Sequence, residues 1–395
     1  MSQFAFVAQG RLYVQTPRGV REVQSHFGDS IRQREQEIQQ RNAWKRQGVT
    51  GRYMGHGPEV DPAEMPIHVT SVASGNEHEQ LLYTLETPAI CGLLRSLRFG
   101  EDEQRLWHSN ERRITDLCRH PSEPRFACSM RNANDTASIA TMNGEGSNLQ
   151  AFTEGDSADI APRWIPGSST RLVYQSAGLA RNSEGIICGL GPYGVHEIDT
   201  ESGQIETIIE DPNRDLLTPQ FDAAGALYFI RRPYGARTSW PWWKTVVDVL
   251  LLPLRLLQAV YGFLNFFSTL FTGKPLMTHS GPPGKPMDAG RMILWGNLVD
   301  ARKAIRKSRG ADAPDLVPKS WELVRREANG TETVLVRSVV SYDLQTDGSI
   351  LYTNGSAVFR RAPNGSVAQL AKHSFIQQVV GLVGTDNAEE ETANG

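Results

Sequence analysis

Cysteine is scarce in this 395-residue chain, which holds only Cys91, Cys118, Cys128 and Cys188, with no CxxC pair and no regular spacing. That excludes a disulfide framework or a paired-cysteine metal site as the organising element and leaves buried, reduced thiols as the expectation. Net charge is equally small. Forty-one Lys and Arg against 44 Asp and Glu give −3, which rules out nucleic-acid binding through overall basicity and leaves only local basic patches. The opening residues MSQFAFVAQGRLYVQTP lack a basic stretch followed by an apolar run, so no secretory signal is visible and the body of the protein is expected in the cytoplasm. With 22% charged residues and 39% in the AVILMFWYC class, the chain is neither disordered nor collagenous.

Catalytic signatures are also missing. There is no GxSxG elbow and no HExxH helix, and no separate hydrolase domain is expected after the last repeat. GLGPYG, from Gly189, matches GxGxxG in form, but Pro192 interrupts it and the strand-like VHEID follows where a phosphate loop opens a helix. His78 between Glu77 and Glu79 reads as a polar turn rather than a metal site. The sequons at Asn329, Asn354 and Asn364 read as turns. No enzyme activity, cofactor or metal is expected.

What is present is repetition. IAPRWIPGSSTRLVYQS, LTPQFDAAGALYFIR and SYDLQTDGSILYTNG each pair an apolar strand, a Gly-containing turn and a second strand rich in aromatics, with weaker copies from Ile67 and Ile114. The leading strands fall near residues 69, 116, 160, 217, 339 and 377. Apart from the interval between the fourth and fifth, their spacing suits four short strands and their turns, the period of a propeller blade. After YTNG, the strands AVFRRAPNG and SVAQLAKH are joined by Asn-Gly, expected as a tight turn with both central residues at positive φ. The last repeat, SFIQQVVGL, supplies one strand, and FAFVAQG, RLYVQTP and GVREVQS at the other terminus supply three. Together they close a ring and remove its sheet edges. The expected fold is an all-β, six-bladed β-propeller with N- and C-terminal strand closure and a helical hydrophobic insertion in the fifth blade.

Two of these repeats resemble the TolB-like, WD-repeat-like family of six-bladed propellers. The matching positions are Asp159, Pro162, Trp164, Gly167 and Tyr174 in one repeat and Asp215, Pro219, Phe221, Gly225 and Tyr228 in the next. The first has IPGSS where the family's turn is Pro-Asp-Gly. The resemblance implies a fold and says little about function, since propellers host many activities. At the mouth of a central channel, Asp159 and Asp215 either hold a cation or basic peptide or bond backbone amides at a blade junction.

Residues 1–28 and 373–384 are thus expected to close the ring, with blades in 67–237 and 317–384 and a disordered acidic tail at 385–395. Residues 29–66 form a first insertion, with a helix opened by Asp29 and Ser30 and carrying a thin stripe of Ile31, Ile38 and Trp44.

The second insertion, 238–316, is the most informative. From Lys244 to Phe271, 18 of 28 residues are apolar and three are charged. As a helix, Lys244, Asp248, Arg255, Gln258, Gly262, Asn265 and Thr269 share a narrow sector. The wide remaining arc includes Val246, Leu250, Leu254, Leu257, Phe263, Leu264, Phe267 and Phe271. Such an arc needs a cover: a bilayer, another protein or the protein's own core. Pro253 divides the run into pieces of about 8 and 18 residues, and the first is too short to cross a membrane. A lone crossing would put strands of one ring on opposite sides. An in-plane or shallowly re-entrant helix pair remains, with Trp240, Trp242 and Trp243 at headgroup level and Lys244 and Lys274 bracketing it. Arg302, Lys303, Arg306, Lys307 and Arg309 add a basic cluster attracted to anionic lipid. The alternative for this stretch is that ILWGNLVDARKAIRK is an amphipathic helix packed on the ring through Ile293, Leu294, Leu298, Val299 and Ile305 with its charges solvated, and both readings can hold at once. The function expected is a non-catalytic scaffold attached peripherally to the cytoplasmic face of a membrane. Its partners are anionic lipid, a membrane-associated protein or further copies of the chain, rather than nucleic acid. Burial of the apolar helices against copies or a partner without lipid is the alternative, and a propeller hydrolase or lyase a third.

Overall fold

The computed structural model describes residues 3–46, 66–75, 77, 79–235, 291–294, 297–300 and 313–382. Met1–Tyr234 together with Met292–Gly395 form one unit, and Gly235–Arg291 a second. Among the described residues there is one helix, and everything else regular is strand.

In chain order the strands are β1 (Phe4–Ala8), β2 (Arg11–Thr16) and β3 (Gly19–Val23), followed by the helix α1 (His26–Arg46). Then come β4 (His68–Ser74), β5 (Leu81–Glu86), β6 (Cys91–Leu97), β7 (Asp102–Ser109), β8 (Arg113–Arg119), β9 (Arg125–Arg131), β10 (Ala137–Asn143) and β11 (Gln150–Ala151). Next are β12 (Ser157–Trp164), β13 (Arg171–Arg181), β14 (Ile187–Leu190), β15 (Gly194–Asp199), β16 (Ile205–Ile209), β17 (Arg214–Phe221) and β18 (Leu227–Pro233). The chain continues through β19 (Arg291–Leu294), β20 (Asn297–Asp300), β21 (Glu322–Arg326) and β22 (Glu332–Arg337). It ends with β23 (Ser341–Leu344), β24 (Ile350–Thr353), β25 (Ala357–Arg361), β26 (Val367–Lys372) and β27 (Ile376–Gly381).

Four sheets are four-stranded antiparallel meanders: β27-β1-β2-β3, β4-β5-β6-β7, β17-β18-β21-β22 and β23-β24-β25-β26. A nine-stranded sheet contains two further runs, one from β8 to β11 and one from β12 to β16, joined only by the parallel pair Ala137↔Ala158. The termini meet as the sequence implies, with Phe4 opposite Gly381 and Val7 opposite Gln378. β1 is buried along its whole length, because a strand covered on both faces reads as a continuous apolar run, here FAFVA. The outermost strands β3, β16, β22 and β26 are mostly exposed and carry charged or polar residues, which discourages edge-to-edge pairing.

The leading strands β27, β4, β8, β12, β17 and β23 lie where the repeats place them, and side chain–backbone hydrogen bonds tie each sheet to the next. Gln378 of β27 grips Val72 of β4 at both its N–H (3.0 Å) and its carbonyl (3.1 Å). Ser71 Oγ accepts from Leu117 N of β8 at 2.9 Å, and Ser129 Oγ of β9 accepts from Ala161 N of β12 at 3.0 Å. Gln175 Oε1 of β13 takes Thr218 N of β17 at 2.6 Å, and Gln220 of β17 bonds Tyr342 O and Leu344 N of β23. Ser341 Oγ and Asp343 Oδ2 of β23 then accept from Val379 N and Gly381 N of β27, so the circuit ends where it began.

Apolar side chains fill the spaces between successive sheets. Val7, Leu12 and Val14 pack with Val72, Leu81 and Tyr83, while Leu82 and Leu93 pack with Ile114, Phe126 and Cys128. Val173 and Val195 meet Leu216 and Phe229, and Phe4 and Phe6 meet Leu351 and Val358. Each such side chain contributes about 1.5–3 kcal/mol by leaving water.

Several local expectations are corrected. The helix starts about one turn before Asp29. Ser25 is its cap, accepting Gly28 N at 3.1 Å, and Glu103 of β7 accepts Ser25 Oγ at 2.7 Å and Phe27 N at 3.2 Å. Asp29 instead occupies the first turn, where its charge suits the helix N-terminus. Phe27 anchors the helix over Gly92, where an added Cβ would lie 2.9 Å from the Phe27 ring. Ile38 is 40% exposed. The Asn364-Gly365 turn does not use two positive φ angles. Only Gly365 is left-handed (φ +88°), and Gly365 N donates to Ala362 O at 2.9 Å. Glycine thus ends a turn whose other residues stay in the ordinary region, a geometry that recurs at Gly225, Gly330 and Gly348. In place of the helix expected from Ile293, β19 and β20 pair as a two-stranded sheet. Two short apolar runs separated by two residues satisfy a hairpin as readily as a helical stripe. Cys188 is exposed rather than buried, whereas Cys91 and Cys128 are buried, and burial pushes the Cys91 thiol up to about 11.

Candidate functional site

The leading strands bring polar groups to the inside of the circuit through a repeated backbone device. In β8, β12 and β17 the register shifts by an extra residue between Thr115 and Cys118, between Ile160 and Arg163, and between Leu217 and Gln220. At each bulge one non-glycine residue is left-handed: Asp116 (φ 52°), Ala161 (φ 57°) and Thr218 (φ 51°). A bulge re-aims the side chains beside it and frees a backbone N–H. The freed amides of Leu117, Ala161 and Thr218 are those that bond the preceding run of strands.

Two half-buried charged residues, Asp116 and Arg163, sit at these bulges, and a third, Asp343, lies on β23. Asp116 accepts from Thr115 Oγ1 (3.0 Å) and Ser129 Oγ (2.8 Å), and Arg163 Nη1 donates to the carbonyls of Leu117 (3.3 Å) and Pro162 (3.2 Å). Asp343 accepts from Gly381 N (2.8 Å) and Gln345 Nε2 (3.0 Å). Burial raises the Asp343 carboxyl above the usual carboxylate range even though Arg163 opposes the shift. Burial alone lowers Arg163, and the surrounding groups, among them Asp343 and Asp116, turn the net shift upward. Three strands from two sheets therefore place one guanidinium and two carboxylates in a common field, an arrangement suited to orienting a polar or dipolar group. Sequence reasoning missed all three; the bulges fall in ITDLC, IAPR and LTPQ and are defined by the pairing register.

Asp159 and Asp215 do begin inner strands, but their carboxylates are enclosed and engaged. Asp159 is 4% exposed and accepts from Ser176 Oγ at 2.6 Å. Asp215, 3% exposed, accepts from Tyr193 N at 3.1 Å and from Arg232 Nε at 2.8 Å. The Arg232 guanidinium also lies 4.8 Å from the Trp321 ring centroid. Asp215 thus binds a backbone amide and an internal cation, so its place in the repeat is structural. In GLGPYG, Gly194 opens β15 rather than a helix.

Arg232 and Trp321 stand at the two roots of the large insertion. β18 and β21 are adjacent antiparallel partners, with Leu227 opposite Arg326 and Arg231 opposite Glu322. The returning chain is held by the β24–β25 turn. Asn354 Nδ2 donates to Ala313 O and Asp315 Oδ1, Leu316 N donates to Asn354 O, and Ser356 Oγ donates to Pro314 O. Gly355 is left-handed (φ +93°), and a Cβ there would sit 2.9 Å from Leu316 Cβ. Asn354, read as a turn residue, is a buried clamp.

The lipid-facing residues inferred from sequence lie outside the described residues. They are Trp240, Trp242, Trp243, Val246, Leu250, Leu254, Leu257, Phe263, Leu264, Phe267 and Phe271, with Lys244, Lys274, Arg302, Lys303, Arg306, Lys307 and Arg309. Trp44 lies in α1 without a described side chain, and His78 and the acidic tail are likewise outside. Among the described residues no helix is long and apolar enough to cross a membrane, and no three His, Cys, Asp or Glu side chains are placed to hold a metal.

No protein-family model matches the chain. No curated protein matches its sequence. Solved structures resembling it include TolB from Acinetobacter baumannii, at 8% identity and a TM-score of 0.49, covering 96% of this chain and 66% of that one. A nidogen/laminin complex matches at 7% identity and a TM-score of 0.49, covering 97% of this chain and 99% of that one. A TolB described as putative, from Agrobacterium tumefaciens, matches at 10% identity and a TM-score of 0.42, covering 95% and 90%. At this degree of similarity the functional argument rests on the chain's own residues.

Proposed function

We propose that this chain is a six-bladed β-propeller acting as a non-catalytic interaction scaffold, docked peripherally on the cytoplasmic face of a membrane by the insertion between β18 and β21. Six blades follow from counting β8–β11 and β12–β16 as separate blades joined by one bridging pair. The closed circuit of inter-sheet hydrogen bonds supports that count. A rigid ring offers a broad platform, and Asp116, Arg163 and Asp343 give its inner surface a charge pattern for a polar partner segment.

The observation that carries the docking reading is the β18–β21 pairing. Paired strands lie about 5 Å apart, so the inserted chain leaves and re-enters at one place. A single membrane crossing would separate two hydrogen-bonded strands, so the apolar run rests on a surface. Apolar insertion plus a basic cluster is the two-signal arrangement that stable peripheral attachment requires.

Vesicle flotation tests this. The full chain is expected to float with vesicles containing anionic lipid, to float less as salt screens the basic cluster, and to stay behind when residues 240–274 are replaced by a short Gly-Ser linker. A full chain that ignores anionic vesicles would overturn the reading, as would a deletion variant that floats equally well. Oligomers that dissociate on deletion, without lipid binding, would assign the apolar run to protein contacts.

A further inference from the structure

The turn between β8 and β9 is built around a histidine whose protonation and hydrogen bonding compete. His120 is 2% exposed. Its Nδ1 accepts from two backbone amides, Ser122 N at 3.2 Å and Glu123 N at 2.9 Å. An imidazole nitrogen that accepts carries no proton, so these bonds require the neutral ring with its hydrogen on Nε2. His120 N donates to Arg125 O at 2.9 Å, which closes the turn.

The same turn is fastened to the β12–β16 run of the nine-stranded sheet. The His120 ring meets Trp164 of β12 edge-on, with centroids 4.6 Å apart and planes at 72°. Arg125 lies over the other part of this contact, its guanidinium carbon 4.7 Å from the Trp164 centroid, and its Nη2 donates to Ser169 O in the β12–β13 turn. Arg125 Nε pairs with Glu123 Oε2 at 2.9 Å. The charged groups facing His120 are Glu123 and Arg125 from its own turn and Arg119 from β8, while the β12 side contributes the uncharged Trp164 and the Ser169 carbonyl. Glu123 Oε1 is 4.0 Å from His120 Nε2.

We propose that His120 is a proton-gated latch between the β8–β11 and β12–β16 runs: neutral, it holds the turn and Arg125 against Trp164; protonated, it releases them. A proton arriving from solvent must take the Nδ1 lone pair, so Ser122 N and Glu123 N lose their acceptor together. The new cation then lies near Arg119 and Arg125 in a dry site, which burial alone already disfavours. Glu123 offsets part of that cost, but it is half-exposed and already paired with Arg125. Opening the turn hydrates the imidazolium and withdraws Arg125 from Ser169 and Trp164. The consequence is a rim that loosens in mild acid while the inner hydrogen-bond circuit, which contains no histidine, stays closed.

Hydrogen exchange on the full chain at pH 7.5 and pH 5.5, corrected for intrinsic exchange rates, tests the latch. Protection in 119–126 and 164–171 is expected to fall on the order of tenfold at the lower pH, the effect of losing two net hydrogen bonds. Strands β1 and β2 should change little. In His120→Asn, whose amide oxygen takes the place of Nδ1 and does not titrate, the pH effect should vanish. Equal loss in wild type and variant, or no loss in wild type, overturns the proposal. Should the variant fail to fold, wild-type NMR decides: the Ser122 and Glu123 amides must shift with the His120 titration, and an imidazole that titrates without moving them overturns it.

Discussion

Asp215 illustrates how far one residue's meaning depends on what faces it. Its place ahead of an inner strand is visible in the repeat, yet the partner that defines it, Arg232, lies 17 residues on across a strand pair. Both side chains are almost wholly buried. Removing one member strands the other charge, so Asp215→Ala is expected to cost about 3–5 kcal/mol. Asp159→Ala, which gives up a hydrogen bond from Ser176 Oγ, should cost about 1–3 kcal/mol. Urea unfolding of the two variants checks this, and equal losses would contradict the ion-pair account. Gly355→Ala combines a left-handed backbone with a clash on Leu316 and is expected to cost about 1–3 kcal/mol, read from the same experiment. None of these magnitudes follows from residue type. Asp159 and Asp215 occupy equivalent repeat positions and differ only in what the fold sets against them.

Among the elements, α1 shows how a local signal is redirected by a distant one. Asp29 and Ser30 are both reasonable caps by sequence. Ser25 takes the role because Glu103, far along the chain on β7, fixes its hydroxyl and the amide of Phe27. Tyr83 OH also donates to Glu103 at 3.0 Å. Ser25→Ala is therefore expected to cost about 1 kcal/mol and to lower amide protection at Phe27 and Gly28 first, measured by hydrogen exchange. Strand positions were legible because period-two patterning and glycine turns are local. The bulges were not, since ITDLC, IAPR and LTPQ show their extra residue only once each strand has a partner to be out of step with. β19 and β20 failed in the other direction, where an apolar pattern compatible with a helix became a hairpin.

For the whole molecule, β27 carries a load out of proportion to its six residues. It supplies the edge for β1 and is hydrogen-bonded to both β4 and β23. Deleting residues 374–382 should abolish a single cooperative unfolding transition and promote association through the bared edge of β1, checked by urea unfolding with size-exclusion chromatography. Stability should also fall in mild acid. Burial depresses both His120 and His196 below the ordinary histidine value. A depressed histidine binds its proton more readily when unfolded, so its contribution is complete above about pH 6.5 and is lost as pH drops below that. The urea midpoint is expected to be lower at pH 5 than at pH 7.5, with part of the difference removed in His120→Asn.

The amino-acid sequence by itself determined an all-β chain of repeated strands, the meeting of its two ends, and the interruption of one repeat by an apolar segment. Those properties rest on local periodicity, turn chemistry and spacing, which act between near neighbours. Only the tertiary structure decided that Asp215 is neutralised by Arg232, that Arg163 shares its field with Asp116 and Asp343, and that His120 holds a turn against Trp164. Each depends on which strands lie side by side, and burial there changes the energy of a charge more than its identity does.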